Sequence, residues 1–200
     1  MNKILKNTLI LTAITVISGL ALGAVYEITK APIAAAEERS KQEACQEVFP
    51  EADSFEAVDV DADAASQAAS DMGANATVDE VYAAMSGTEE AGYVITVTDG
   101  DGYGGDIQIS VGIQADGTVS GISFLSISET AGLGMNAEKP EFYEQYAGKQ
   151  TDRFYVSKDG GEGEPVDAIT GATITSRAVT GAVNTALGYY QNALGGSGNE

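Results

Sequence analysis

Histidine and tryptophan are absent from the 200 residues, and cysteine occurs once, as Cys45. Without histidine there can be no Ser-His-Asp or Cys-His nucleophile, no His-ligated zinc and no His-ligated haem. A lone cysteine cannot close an intrachain disulfide, and by itself it cannot hold zinc or an iron–sulfur cluster. No metal site is therefore expected, and any redox work falls to an organic cofactor. Basic residues are also scarce. Ten Lys and Arg face 30 Asp and Glu, giving a formal charge of −20, and no basic residue occurs between Lys41 and Lys139. Such a surface repels nucleic acid phosphates and anionic headgroups, which excludes nucleic acid as a partner. The acid excess otherwise describes a solvated face.

Charge is missing altogether from Asn7 to Tyr26, between Lys6 and Glu27. As a helix this run is about 30 Å long, the thickness of a bilayer's hydrocarbon core. Lys3 and Lys6 favour a cytoplasmic N-terminus, although Lys30, Arg39 and Lys41 on the other side leave the charge rule undecided. Ala21-Leu22-Gly23 also offers the small-x-small pattern of a cleavable leader, but the apolar run exceeds a usual leader core. Cys45 lies too far downstream to be a lipoprotein cysteine. Anchor or leader, the remainder is placed on the extracytoplasmic side of the cell membrane. The expected division is a cytoplasmic 1–6, a single-pass anchor 7–26, and a helical, Ala/Asp-rich connecting region 27–90. A folded domain 91–192 and a flexible tail 193–200 follow.

Pro32 can open a helix, with Ile33 to Val48 as its body and Phe49-Pro50 as its end. Ala57 to Asp79 lacks apolar periodicity and reads as a flexible or weakly helical surface segment. Period two then takes over. Tyr93 to Thr98 is a strand, and Ile107, Ile109, Val111 and Ile113 alternate with polar or small residues. Asp116-Gly117 signals a hairpin into Val119 to Ile127. Lys139 to Ala147 reads as a short helix and Phe154 to Val156 as a short strand. Val179, Ala182, Val183, Ala186, Leu187 and Tyr190 form one apolar helical stripe, with Thr175 or Ser176 as N-cap. The fold class expected is α+β, a membrane helix followed by a small antiparallel sheet with packed helices. The strand order is not legible.

The segment Asp167-Ala168-Ile169-Thr170-Gly171-Ala172-Thr173 leads into that last helix. Unpaired N–H groups and the helix dipole favour a phosphate near Thr173, and Gly171 and Ala172 leave the backbone accessible. A Thr or Ser ahead of a helix is also an ordinary cap, and spacing alone leaves both readings open.

This segment resembles the flavinylation motif D-x-x-[S/T]-G-A-T of the FMN-binding domain family. That family includes the G subunit of the Rnf electron transport complex and the C subunit of the sodium-pumping NADH–quinone reductase. Two further stretches resemble family motifs, in the family's order. Gly102-Tyr103-Gly104-Gly105-Asp106-Ile107 is similar to its glycine–tyrosine lead-in to a strand, and Glu129-Thr130-Ala131-Gly132-Leu133-Gly134 to its E-T-x-G-L-G loop. The resemblance spans roughly Tyr93 to Leu187 plus the anchor, and leaves out the Ala/Asp-rich stretch.

The resemblance implies FMN joined covalently, by a phosphoester, to Thr173. A flavin transferase using FAD and magnesium would make the bond, and Asp167 would belong to the sequence that enzyme recognises. Thr170, Gly171, Ala172, Glu129, Thr130, Gly132, Leu133 and Gly134 would line the flavin, with Thr130 and Leu133 as the ring contacts. The chain itself would supply no catalytic residue. It would carry electrons within an Rnf-type, ion-translocating ferredoxin–NAD oxidoreductase, beside integral-membrane and iron–sulfur or flavin subunits. The chain's compact length favours this component over its quinone-reductase counterpart. A flavin domain serving another reductase and a non-redox interaction domain are the remaining readings.

Overall fold

The computed structural model describes residues 2–195, so most of the expected tail, 196–200, lies outside the described residues. The chain divides into two compact units between Ser40 and Lys41. The first is formed by helix α1, which spans Lys3–Val48 and continues into the second unit. Within α1 an 18-residue window has a mean hydropathy of 2.2, so the helix is long and apolar enough to cross a membrane. Pro32 lies inside α1 and does not open a second helix as expected. Proline removes its own N–H and its ring crowds the Ile28 carbonyl, but the Ala, Glu and Arg residues that follow are strong helix formers and outweigh this local cost.

Among its described residues the second unit contains six strands in one antiparallel sheet, ordered as in the sequence. They are β1 (Ser54–Val58), β2 (Ala76–Ser86), β3 (Glu89–Asp99), β4 (Ile107–Gln114), β5 (Thr118–Ser126) and β6 (Lys149–Gln150). Between β1 and β2 lies α2 (Ala62–Met72), and α3 (Pro140–Tyr143) lies between β5 and β6. Strands β7 (Phe154–Val156) and β8 (Glu164–Val166) form a separate parallel ribbon, and α4 (Thr173–Tyr189) follows. The β4–β5 hairpin turns at Asp116-Gly117, where Asp116 accepts from the Thr118 N–H at 2.9 Å.

Helices cover both faces of the sheet. On one side, Val179, Ala182, Val183, Ala186 and Leu187 of α4 are buried with Ile95, Val97, Ile109 and Val111. On the other, Cys45, Val48 and Phe49, at the end of α1 and just beyond it, pack with Ala84 and Val94. The second cover explains why both faces of β4 are buried, although its sequence alternates.

The Ala/Asp-rich stretch, Ala57 to Asp79, is not flexible. It holds the end of β1, the whole of α2 as a capped helix, and the start of β2. The helical part of the expectation is met, and the strand ends were missed. Asp61 caps α2 by accepting from the N–H groups of Asp63 and Ala64, and Gly73 ends it. Its apolar periodicity is faint because small residues make its contact with α4. Ala68 is fully buried, and a Cβ added at Gly188 would stand 3.3 Å from the Ala68 Cβ. Alanine on glycine buries little area and leaves little trace in a hydropathy pattern.

Candidate functional site

Helix α4 starts at Thr173, earlier than the cap expected at Thr175 or Ser176. Ala172 occupies the N-cap position, and among the described residues no side chain caps the helix. Ser176 lies a turn inside, fully buried, and ties the preceding loop to the helix. Its Oγ accepts from the Ile169 N–H and donates to the Ala172 carbonyl, each at 3.0 Å. Gly171 takes a left-handed conformation (φ +80°), which lets the chain turn sharply into the helix. The first-turn N–H groups thus lie beside a half-exposed Thr173 with no side-chain acceptor among the described residues, at the positive end of a 17-residue helix.

Thr173 opens into a cavity of about 550 Å³. Of the residues picked out by motif, Glu129, Thr130, Leu133, Gly134, Gly171 and Ala172 line it with Thr173. The loop after β5 is closed on itself, since Thr130 O accepts from the N–H groups of Leu133 and Met135 at 3.1 and 3.2 Å. Gly132 belongs to this loop and accepts from the Asn136 side-chain amide at 3.0 Å, but it is not part of the lining. Asp167 and Thr170 are turned elsewhere, into a second cavity of about 560 Å³ shared with Lys139 and Gln145.

Three lining residues are not among the ligand contacts expected from the motifs: Tyr103, Ile174 and Thr175. The Tyr103 N–H donates to Glu129 Oε1 at 2.8 Å, joining the glycine–tyrosine segment to the loop. Tyr103, Leu133 and Ile174 are 71%, 44% and 47% exposed. Among the described residues they are the only exposed large apolar side chains outside α1, and all three ring this cavity. Apolar side chains beside the uncapped first turn of α4 suit a flat aromatic ligand that carries a phosphate.

Another cavity, about 630 Å³, lies on a different side of α4 and is lined by charges of both signs. Its cations are already engaged. Arg177 Nε donates to Asp159 at 2.8 Å, which holds that carboxyl below its usual range, and Arg153 donates to the Met72 carbonyl at 3.1 Å. Asp99, buried at its edge, has its carboxyl pushed up to about 6 by burial.

Comparison with known proteins matches two separate stretches of the chain. The FMN-binding domain family matches residues 102–188, and the RnfG N-terminal region matches residues 1–48. The G subunit of the Na⁺-translocating ferredoxin:NAD⁺ oxidoreductase complex of Acetobacterium woodii is 36% identical over 194 residues, covering 94% of this chain and 92% of its own. The G subunit of the proton-translocating ferredoxin:NAD⁺ oxidoreductase complex of Clostridium ljungdahlii is 34% identical over 195 residues, covering 98% and 96%. The crystal structure of Shewanella oneidensis NqrC superposes with a TM-score of 0.45 at 25% identity, over 56% of this chain and 58% of that one.

Proposed function

The chain belongs to the RnfG family, the G subunits of ion-translocating oxidoreductase complexes, and from that premise we propose that it carries electrons in such a complex through an FMN esterified to Thr173. It is a redox subunit of a ferredoxin:NAD⁺ oxidoreductase and is not catalytic alone. Integral-membrane and iron–sulfur or flavin subunits are its partners, and α1 anchors it with the second unit on the extracytoplasmic side.

One observation carries the attachment site. Thr173 stands at the uncapped start of α4 and lines the cavity that also gathers Tyr103, Leu133 and Ile174, the exposed large apolar side chains described outside α1. FMN fits these residues. The first-turn N–H groups of α4 suit its phosphate, and Leu133, Ile174 and Tyr103 offer apolar surface to its ring. When bound, FMN supplies one- and two-electron chemistry, which requires no histidine from the chain.

Attachment is a phosphoryl transfer made by a flavin transferase with FAD and magnesium. The Thr173 oxygen forms a bond to the FMN phosphorus, the pyrophosphate bond of FAD breaks, AMP leaves, and the hydroxyl proton is released. Asp167 and Thr170, on the outer side of the loop, belong to what the transferase reads. The test is a denaturing gel of chain produced with a transferase. Wild type is expected to fluoresce as a flavin and Thr173→Ala to be dark. Fluorescence retained in Thr173→Ala removes Thr173 from the account.

A further inference from the structure

The loop carrying the motif is held from outside by one side chain. Gln145, just after α3, takes both polar groups of the Asp167 backbone. Its Oε1 accepts from the Asp167 N–H at 2.7 Å, and its Nε2 donates to the Asp167 carbonyl at 3.3 Å. Nε2 also donates to Phe142 O at 3.2 Å and Glu141 O at 3.3 Å, which fixes the amide to its own turn. The Asp167 carboxylate is held separately by the Ser157 hydroxyl at 2.9 Å. At the far end of the loop, Ser176 holds Ile169 and Ala172. Thr170 and Gly171, between these ties, are exposed.

We infer that Gln145 is a positioning residue for the modification of Thr173: its amide fixes the start of the 167–172 loop in the shape the flavin transferase binds. This rests on the reading that Thr173 is the attachment site. Both of its bonds to Asp167 are to backbone, so Gln145 sets the course of the chain whatever side chain follows. It lies outside the motif, 22 residues earlier, and shares the outer cavity with Asp167 and Thr170. Asp167 is exposed, so water can satisfy its N–H and carbonyl once Gln145 is removed. Helix α4 and the flavin cavity keep their own tie through Ser176. The fold is thereby spared while the loop loses its fixed shape. A partner that binds only one loop conformation then sees a smaller competent fraction, and its apparent affinity falls in proportion.

The experiment uses the full-length chain in detergent, produced without a transferase, then supplied with FAD, magnesium and purified flavin transferase. Initial rates of flavin incorporation are measured against chain concentration for wild type and Gln145→Ala. The KM for the chain is expected to rise about tenfold, with kcat within about twofold, since two hydrogen bonds that preorganise the loop are gone. The melting temperature is expected to stay at the wild-type value. An unchanged KM, or a loss confined to kcat, overturns the inference and leaves the Thr173 assignment standing. No incorporation into wild type overturns the Thr173 assignment itself. If Gln145→Ala melts early, Gln145→Glu decides, because it keeps the length and the acceptor for the Asp167 N–H but cannot donate to the carbonyl. Its KM is expected to rise about threefold; a wild-type KM in that variant overturns the inference.

Discussion

Gly134 is pressed against Thr175: a Cβ at position 134 would stand 2.7 Å from the Thr175 Oγ1. The same Cβ would lie 2.7 Å from Glu129 Cβ, so the added methyl is caught between the loop after β5 and the first turn of α4. Gly134→Ala must push these apart, at a cost of about 1–3 kcal/mol for overpacking. Urea unfolding is expected to show that loss. Flavin incorporation is expected to fall with it, because the displaced residues line the cavity.

Ser176 is fully buried, and its hydroxyl is the only tie between α4 and the Ile169 N–H among the described residues. Ser176→Ala leaves that N–H without its partner and is expected to destabilise the second unit by about 1–3 kcal/mol. Chemical unfolding measures it. A cost close to zero would show that the loop is not held by this hydroxyl.

Asp99 is buried, with one oxygen accepting the Asp101 N–H at 2.8 Å and the Asp101 carboxylate nearby. Burial raises its carboxyl from 3.8 to about 6. The folded state therefore binds this proton more tightly than the unfolded chain. The associated stability is full below about pH 4, fades as pH rises to about 6, and is absent above. Asp99→Asn stays neutral and can keep the bond to the Asp101 N–H. It is expected to gain roughly 2 kcal/mol over wild type between pH 4 and pH 7, read from urea unfolding at both. A constant difference between the two proteins contradicts the burial effect.

The elements most legible in the sequence are those whose burial follows a simple period. The alternation from Ile107 to Ile113 and the stripe from Val179 to Leu187 became β4 and α4 because each carries a regular row of apolar side chains into the core, although the other side of each element is covered as well. The Asp116-Gly117 turn was legible because its side-chain acceptor lies two residues from its donor. The β1–α2–β2 segment was hidden, since Ala68, Ala69 and Gly188 pack by being small. At the site, the motif brought out Thr173 and the loop of Glu129 to Gly134. Tyr103 and Ile174 escaped as lining residues because their role depends on three separate segments converging, which no local pattern records. The course of α1 through Pro32 escaped for the opposite reason, since a local rule was outweighed by its helix-forming neighbours.

Orientation across the membrane can be read with a single new thiol. Cys45 is buried and its thiol is pushed up to about 11, so it stays protonated and shielded near neutral pH. Lys158 is exposed on the second unit. Lys158→Cys in intact cells is expected to react with a membrane-impermeant maleimide, while wild type does not. Labelling of the variant only after lysis would place the second unit in the cytoplasm.

The attachment of FMN through Thr173 is tested most directly by mass spectrometry of the chain extracted from membranes of cells that hold a flavin transferase. The intact chain is expected to be heavier by one FMN less one water, and fragmentation is expected to place that increment on Thr173. An unmodified Thr173, or the same increment on another hydroxyl such as Thr170 or Thr175, would contradict it.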